Sequence, residues 1–171
     1  VIEEIGRFVS PETKVLLHPG TTSCDILDTA RAVLLKRAWN EVFRPEVSKN
    51  IKSLCDLAEQ TMEVLQVGRT HLQDTSPVLF GGVLAEYAAR LAERIERCDL
   101  YLADLRGKIS GIVGTGAGID MVIGEGKSLE FEQEVLQRLG LLPDYTATQI
   151  TQKERSADVG HGIVTLMRVL G

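Results

Sequence analysis

Residues 25–67 read DILDTARAVLLKRAWNEVFRPEVSKNIKSLCDLAEQTMEVLQV, with no glycine anywhere in the stretch. Apolar side chains recur every three or four positions: Ile26, Ala30, Val33, Leu34 and Val42, then Val47, Ile51, Leu54, Cys55, Ala58, Met62 and Leu65. That period predicts one very long helix or two collinear ones. Pro45 is the one interruption, and it is expected to kink or restart the helix, because proline removes a helix hydrogen bond and disfavours helical geometry at Arg44. A second long helix is expected to open near Pro77 and to run through Val83, Leu84, Tyr87, Ala88, Leu91, Ile95 and Leu102 toward Gly107. Shorter helices follow over about 128–139, ended by Gly140, and from about Lys153 onward. No stretch alternates apolar and polar residues for long enough to predict a strand. Long amphipathic helices cannot bury their apolar stripes alone, so the expected fold class is all-α, an elongated bundle of long helices.

Working outward, the 171 residues suffice for one domain with a real core, and 44% hydrophobic with 25% charged content sets disorder and fibre aside. A net charge of -5 argues against a nucleic-acid groove, which needs a surplus of Lys and Arg on one face. Cys24, Cys55 and Cys98 are too far apart for a CxxC zinc site or a dense disulfide framework, so a reducing cytoplasm is expected. No apolar run is long enough to span a membrane, and VIEEIGRFVS carries acids where a signal peptide is basic and then apolar. The chain lacks an initiator Met and begins inside an amphipathic pattern of Val1, Ile2, Ile5, Phe8 and Val9. It therefore reads as a piece of a longer protein.

Three polar segments punctuate the helices. In HPGTTSCDILDTA, residues 18–30, His18, Gly20, Thr21, Thr22, Ser23 and Asp25 occupy the turn before the long helix. Hydroxyls and free N–H groups at a helix start form an anion site, since the helix dipole is positive there. Equally, Ser23 or Thr22 caps the helix and Asp25 sits in its first turn. The two roles are compatible. GRTHLQDTSP, residues 68–77, gathers Arg69, Thr70, His71, Gln73, Asp74, Thr75 and Ser76 where a helix hairpin needs only a few small residues. His71 is the natural proton carrier, with an unperturbed pKa of about 6.5, although a lone loop histidine is more often solvated or structural.

GIVGTGAGID, residues 111–120, invites a dinucleotide-binding reading, which needs a strand, a tight turn and a helix. Here a helix end precedes the glycines and no P-loop Lys-Ser/Thr pair follows, so they are expected to serve tight turns and close helix packing. In TQITQKERSAD, residues 148–158, Gln149, Gln152, Lys153 and Arg155 either contact a polar ligand or stand solvated on a helix start. His161, inside the last helical pattern, reads as structural. No cluster has metal-ligand spacing and no GxSxG elbow appears, so metal and acyl-enzyme chemistry are not favoured, and no cofactor is expected.

The pairing of HPGTTSCDILDTA with GRTHLQDTSP across one long helix resembles the first two signature regions of the fumarase/aspartase/adenylosuccinate lyase superfamily. Within it, the His-x-Gly-x-Thr-Ser-x-Asp-x-x-Asp-Thr-Ala pattern is similar to the adenylosuccinate lyase and carboxymuconate cycloisomerase branches, and TQITQKERSAD resembles a later adenylosuccinate lyase segment. The LQD after His71 is worded more like fumarase. The resemblance implies an L-aspartase/fumarase-like central domain over most of residues 1–171, with residues 1–24 leading in with the first signature. The third signature, a Gly-Ser-Ser-x-Met-Pro loop, is absent from the chain.

The resemblance further implies beta-elimination releasing fumarate, with His71 as general acid and Thr70 beside it on a substrate carboxylate. His18, Thr22 and Ser23 would bind substrate carboxylate or phosphate, while Gln149 and Arg155 would also contact substrate. The base would be a serine of the absent loop, so the 171 residues alone are expected to be inactive. A small-molecule substrate and a homo-oligomer, a tetramer by resemblance, are the expected partners. Another superfamily member or a non-catalytic helical scaffold are the competing readings. At about 1.5 Å per residue, a straight helix over 25–67 would hold His18 and His71 roughly 60 Å apart, so a shared site would need two subunits.

Overall fold

The computed structural model describes residues 2–170. In chain order the elements are α1 (Ile2–Ile5), α2 (Pro11–Lys14), α3 (Ser23–Ala38), a π-helical segment (Trp39–Phe43), α4 (Arg44–Gln60), β1 (Leu65–Thr70), β2 (Gln73–Leu79) and α5 (Phe80–Ala103). Then come β3 (Arg106–Gly107), α6 (Ala117–Ile123), α7 (Ser128–Arg138), β4 (Leu142–Pro143) and α8 (Glu154–Met167). The chain is mostly helical, as the all-α expectation requires. No described helix is long and apolar enough to cross a membrane. The contacts divide the chain into two compact units, Val1–Leu35 with Asp104–Ser156, and Lys36–Ala103 with Ala157–Gly171.

In the first unit, β3 pairs in parallel with β4, and Leu105, Ile109, Ile119, Leu136 and Leu141 are buried. Gly107 admits this packing: a Cβ there would lie 3.1 Å from both Leu141 Cδ1 and Thr29 Oγ1. α7 ends as the sequence predicts. Gly140 adopts φ 71°, and the Leu141 N–H returns to the Leu136 carbonyl at 2.9 Å, which satisfies a carbonyl the helix leaves open. The glycines of 111–120 serve tight turns, with positive φ at Gly111, Gly114 and Gly116.

In the second unit α4 packs against α5, and Ala88, Leu91, Ile95, Cys98 and Leu102 of α5 are buried. The helix restarts next to Pro45, one of the two outcomes its position predicts. Pro45 lies in the first turn of α4, and the five residues before that turn widen into the π-helical segment, where the Arg44 N–H bonds the Trp39 carbonyl. The wider turn accommodates a residue that lacks an N–H and would crowd the carbonyl four positions back. Asp99 of α5 fastens the segment, accepting from Trp39 Nε1–H at 2.7 Å and Arg44 Nε–H at 3.1 Å.

The larger departure lies between α4 and α5. The expected helix to Val67 stops at Gln60, the expected helix start near Pro77 moves to Phe80, and an antiparallel β1–β2 hairpin fills the gap. A two-stranded ribbon is all edge, so Pro77 fits opposite Val67 without breaking an interior ladder. Leu65, Val67, Val78 and Leu79 remain exposed, so the hairpin has no buried face to impose a clear alternation on its sequence.

Leu136 is fully buried against Gly107. Leu136→Ala is expected to cost about 2–5 kcal/mol in urea unfolding, and a loss below about 1 kcal/mol would contradict this packing.

Candidate active site

The HPGTTSCD segment folds into a tight turn leading directly into α3. His18 and Gly20 both take positive φ, 75° and 72°, and the Thr21 hydroxyl donates to the His18 carbonyl at 3.1 Å. Gly20 rests against Gly118, where an added Cβ would come 2.9 Å from the Gly20 Cα. The His18 side chain is exposed.

The helix start is closed by Asp25 rather than by a hydroxyl. Its carboxylate reaches back to accept the Thr22 N–H at 2.7 Å, one half of a capping box. Thr22 holds the N-cap position and Asp25 the first turn, as expected, but the cap bond comes from the Asp25 carboxylate and not from a hydroxyl. Among the described residues, neither the Thr22 nor the Ser23 hydroxyl has an internal hydrogen-bond partner, although Thr22 is only 9% exposed. The Thr22 hydroxyl oxygen keeps an opening to solvent. Here it sits at the positive end of a helix of 16 residues, a place suited to an anionic ligand.

Asp25 is itself fully buried and is met by the fully buried Lys108 ammonium, the Ser110 N–H at 3.2 Å and the Gly111 N–H at 3.1 Å. One turn further along α3, buried Asp28 accepts from the Thr151 N–H at 2.9 Å and pairs with Lys153 at 2.7 Å. Burial alone would raise the Asp28 pKa, but the Lys153 and Thr151 hydrogen bonds outweigh it and hold the carboxyl below its ordinary range. The first two turns of α3 thus draw the 18–25 turn, the 108–111 segment and the 148–155 segment together. Nearby, Glu132 accepts the Ile109 N–H at 2.7 Å, and burial pushes its carboxyl up.

In the 148–158 segment Gln149 is exposed. Arg155 is held by Asp104 at 3.0 Å, Asp144 at 3.5 Å and Gln152 at 2.7 Å, through Nε and Nη1. Lys153 and Gln152 also bond within the unit, the latter to Thr146 at 2.5 Å. Gln152 and Lys153 stay exposed while their polar heads make these bonds, and Arg155 is half-buried. His161 is exposed on α8 and so has no buried structural role in this chain.

Thr70 and His71 belong to the second unit, at the hairpin tip. Thr70 pairs with Gln73, leaving His71 and Leu72 as a two-residue turn with φ 51° and 62°. Two consecutive left-handed residues are the signature of the primed turn that suits hairpin twist, usually built from Asn and Gly. His71 is exposed and Leu72 is 93% exposed, while Arg69 and Asp74 pair across the strands at 3.2 Å. His18, Thr22, Ser23, Gln149 and Arg155 share the first unit; Thr70 and His71 lie in the other. Sequence reasoning passed over Asp28, Lys108 and Thr151. The i,i+3 spacing of Asp25 and Asp28 on one helix face was the available signal for the first of them. Among the described residues, no three His, Cys, Asp or Glu side chains gather as metal ligands.

A family model described as "Lyase" matches residues 1–170. The chain is 34% identical over 148 residues to an adenylosuccinate lyase of Bacillus subtilis (strain 168), covering 86% of this chain and 32% of that protein. It is 35% identical over 160 residues to an adenylosuccinate lyase of Pyrococcus horikoshii, covering 93% and 32%. A third adenylosuccinate lyase, from Synechocystis sp., is 34% identical over 158 residues, covering 92% and 33%. The chain spans about a third of the length of these curated relatives.

The lowered carboxyl of Asp28 makes stability depend on pH. A carboxyl whose pKa is lower folded than unfolded contributes stability above its ordinary value of 3.8, and that contribution is lost as pH falls through the folded value. Asp28→Asn is therefore expected to destabilise the protein at pH 7 and to lose most of that penalty in acid. Urea unfolding of parent and variant at stepped pH checks this, and a penalty that stays constant below pH 3.8 would refute it.

Proposed function

The chain belongs to the lyase family of the fumarase/aspartase superfamily, and on that premise we propose that it is part of an adenylosuccinate lyase. The observation that carries the reading is the start of α3. Thr22, a residue only 9% exposed whose hydroxyl has no partner among the described residues, lies at the positive end of a long helix, in the same turn as His18 and Ser23. Such a site suits a carboxylate or phosphate, and adenylosuccinate carries both.

The elimination starts when a base removes a proton alpha to one succinyl carboxylate, placing negative charge on an aci-carboxylate that needs preorganised donors. The C–N bond then breaks, fumarate leaves, and an acid returns a proton to the exocyclic amine of the purine. His71 serves as that acid. An imidazole can donate a proton through a ring N–H, and the tight hairpin turn presents this one to solvent. Thr70 holds a substrate carboxylate, and His18, Thr22 and Ser23 hold carboxylate or phosphate. Gln149 reaches a substrate amide, and Arg155 offers Nη2, the guanidinium nitrogen left unengaged among the described residues. The base is a serine from a loop outside the 171 residues, so the chain alone is inactive.

The chain forms most of the central helical-bundle domain of a cytoplasmic homotetramer. Val42, Phe43, Leu57, Tyr87 and Leu100 of the second unit are exposed, and other copies cover these apolar side chains. One subunit's His18 turn meets another's His71 hairpin. The LQD wording after His71 favours a fumarase-like substrate as the second reading, which fumarate release or consumption across adenylosuccinate, malate, aspartate and argininosuccinate separates.

In the intact protein, His71→Gln is expected to lower turnover by about 10²- to 10⁴-fold with a much smaller change in substrate binding. Retention of parental turnover would remove His71 from the acid role. Mixing inactive His18→Ala and His71→Gln proteins under conditions that exchange subunits is expected to restore roughly a quarter of parental activity, because some sites then combine two unaltered contributions. No recovery from exchanged oligomers would place both histidines in one subunit's site.

A further inference from the structure

We propose that Asp25 and Lys108 are positioning residues for the anion site at the start of α3; the inference rests on the lyase reading above. The two side chains are the only fully buried ion pair among the described salt bridges, with 0% exposure on each. Neither has a surface of its own to offer a substrate. Their partners show what they hold. The Asp25 carboxylate gathers the Thr22 N–H from the α3 turn, the Ser110 and Gly111 N–H groups from the glycine loop, and the Lys108 ammonium. Lys108 returns a second hydrogen bond to the Gly111 carbonyl at 2.7 Å. Its backbone is fixed twice more by Thr29 of α3, whose hydroxyl donates to the Lys108 carbonyl and accepts the Lys108 N–H, each at 3.0 Å.

This arrangement has two consequences for an anion bound by Thr22 and Ser23. The first is geometric. The peptide carrying Thr22 is tied through one carboxylate to the 110–111 peptides, so the unpartnered Thr22 hydroxyl is held at a fixed place. Gly20 and Gly118 make the same junction from the other side, since neither leaves room for a Cβ. The second is electrostatic. A lone carboxylate in the first turn would oppose the positive helix end and repel the incoming anion. Lys108 cancels that charge from inside, leaving the helix dipole and the open hydroxyls to face the ligand. A fold that needed only packing here could use apolar residues, which often replace buried ion pairs without loss of stability. The pair instead fixes a polar turn.

The test separates position from stability in the intact protein. Lys108→Met leaves Asp25 uncompensated, so both the melting temperature and the affinity for adenylosuccinate should fall. The double variant Asp25→Asn/Lys108→Met removes both charges and should recover most of the melting temperature. On this proposal its KM for adenylosuccinate stays raised by about tenfold or more while kcat changes far less, the signature of lost uniform binding. A KM that returns to the parental value with the melting temperature would show a purely structural pair and overturn the proposal.

Should neither variant fold, Gly118→Ala decides, because its Cβ pushes the two segments apart while leaving both charges in place. A comparable rise in KM supports the clamp, and a folded Gly118→Ala protein with parental KM overturns it. A parent protein without turnover on adenylosuccinate defeats the substrate reading alone. The same variants are then compared by calorimetric titration with succinate, where weakened binding supports the clamp and unchanged binding overturns it. Absence of succinate binding in the folded parent overturns the clamp as well.

Discussion

A carboxylate removed from water must be answered by donors, and the first unit of this chain is arranged around one such demand. Asp25 has no exposed surface, and an isolated charge at that depth would cost more than the fold can supply. Four donors converge on it from three places in the sequence: the turn before α3, the 110–111 peptides and Lys108. Because these donors are mostly backbone N–H groups, meeting the demand also fixes main-chain geometry. The glycines follow from the same requirement. Gly20 and Gly118 approach so closely that neither tolerates a side chain, and Gly111 takes a left-handed conformation where its N–H and carbonyl both face the pair.

Asp28 extends the principle by one helical turn. Its carboxylate collects Thr151 and Lys153, so α3 serves as the spine to which both polar segments of the first unit are fastened. Arg155 repeats the pattern from the other direction, a guanidinium held between Asp104 and Asp144. Breaking a buried charge pair by removing one partner is far more costly than losing an exposed one. The polar segments are thus held by interactions that resist water, while the surface pairs of α4 and α7, such as Lys52 with Asp56 and Arg138 with Glu134, contribute little to placing anything.

What the sequence made legible follows from the range of the forces involved. The helices were readable because a 3.6-residue period is a local record of a buried face; α7 and its Gly140 stop lie within a residue of expectation. The glycine loop was readable as turns, although the structure sets the two-residue β3 before it and α6 after it. The hairpin was not. Its apolar residues Leu65, Val67, Val78 and Leu79 face solvent in this chain, so burial has not imposed the alternation that marks a strand, and Pro77 read as a helix start. The roles of Lys108 and Asp28 were hidden for a different reason. Their partners are 83 and 123 positions away in sequence, and no periodicity reports a pairing of that range.

The hairpin tip shows why an exposed histidine there still carries meaning. His71 and Leu72 both sit in the left-handed region, where a residue with a Cβ is disfavoured by roughly 1–2 kcal/mol. Asn and Gly would make the same turn at less cost. The Arg69–Asp74 pair across the strands is exposed on both sides and offsets little of that strain. Register holds the tip instead: pairing runs to Thr70 opposite Gln73, which leaves the chain only two residues to reverse direction. An imidazole on so short a turn, anchored on both sides by strand pairing, has its backbone orientation fixed even though its side chain is exposed. Under the proposed chemistry that combination is what a proton donor needs, a fixed base of attachment and a ring free to engage substrate. Local economy would favour Asn-Gly at these two positions, and under the proposed chemistry the imidazole is what the strained turn is kept for.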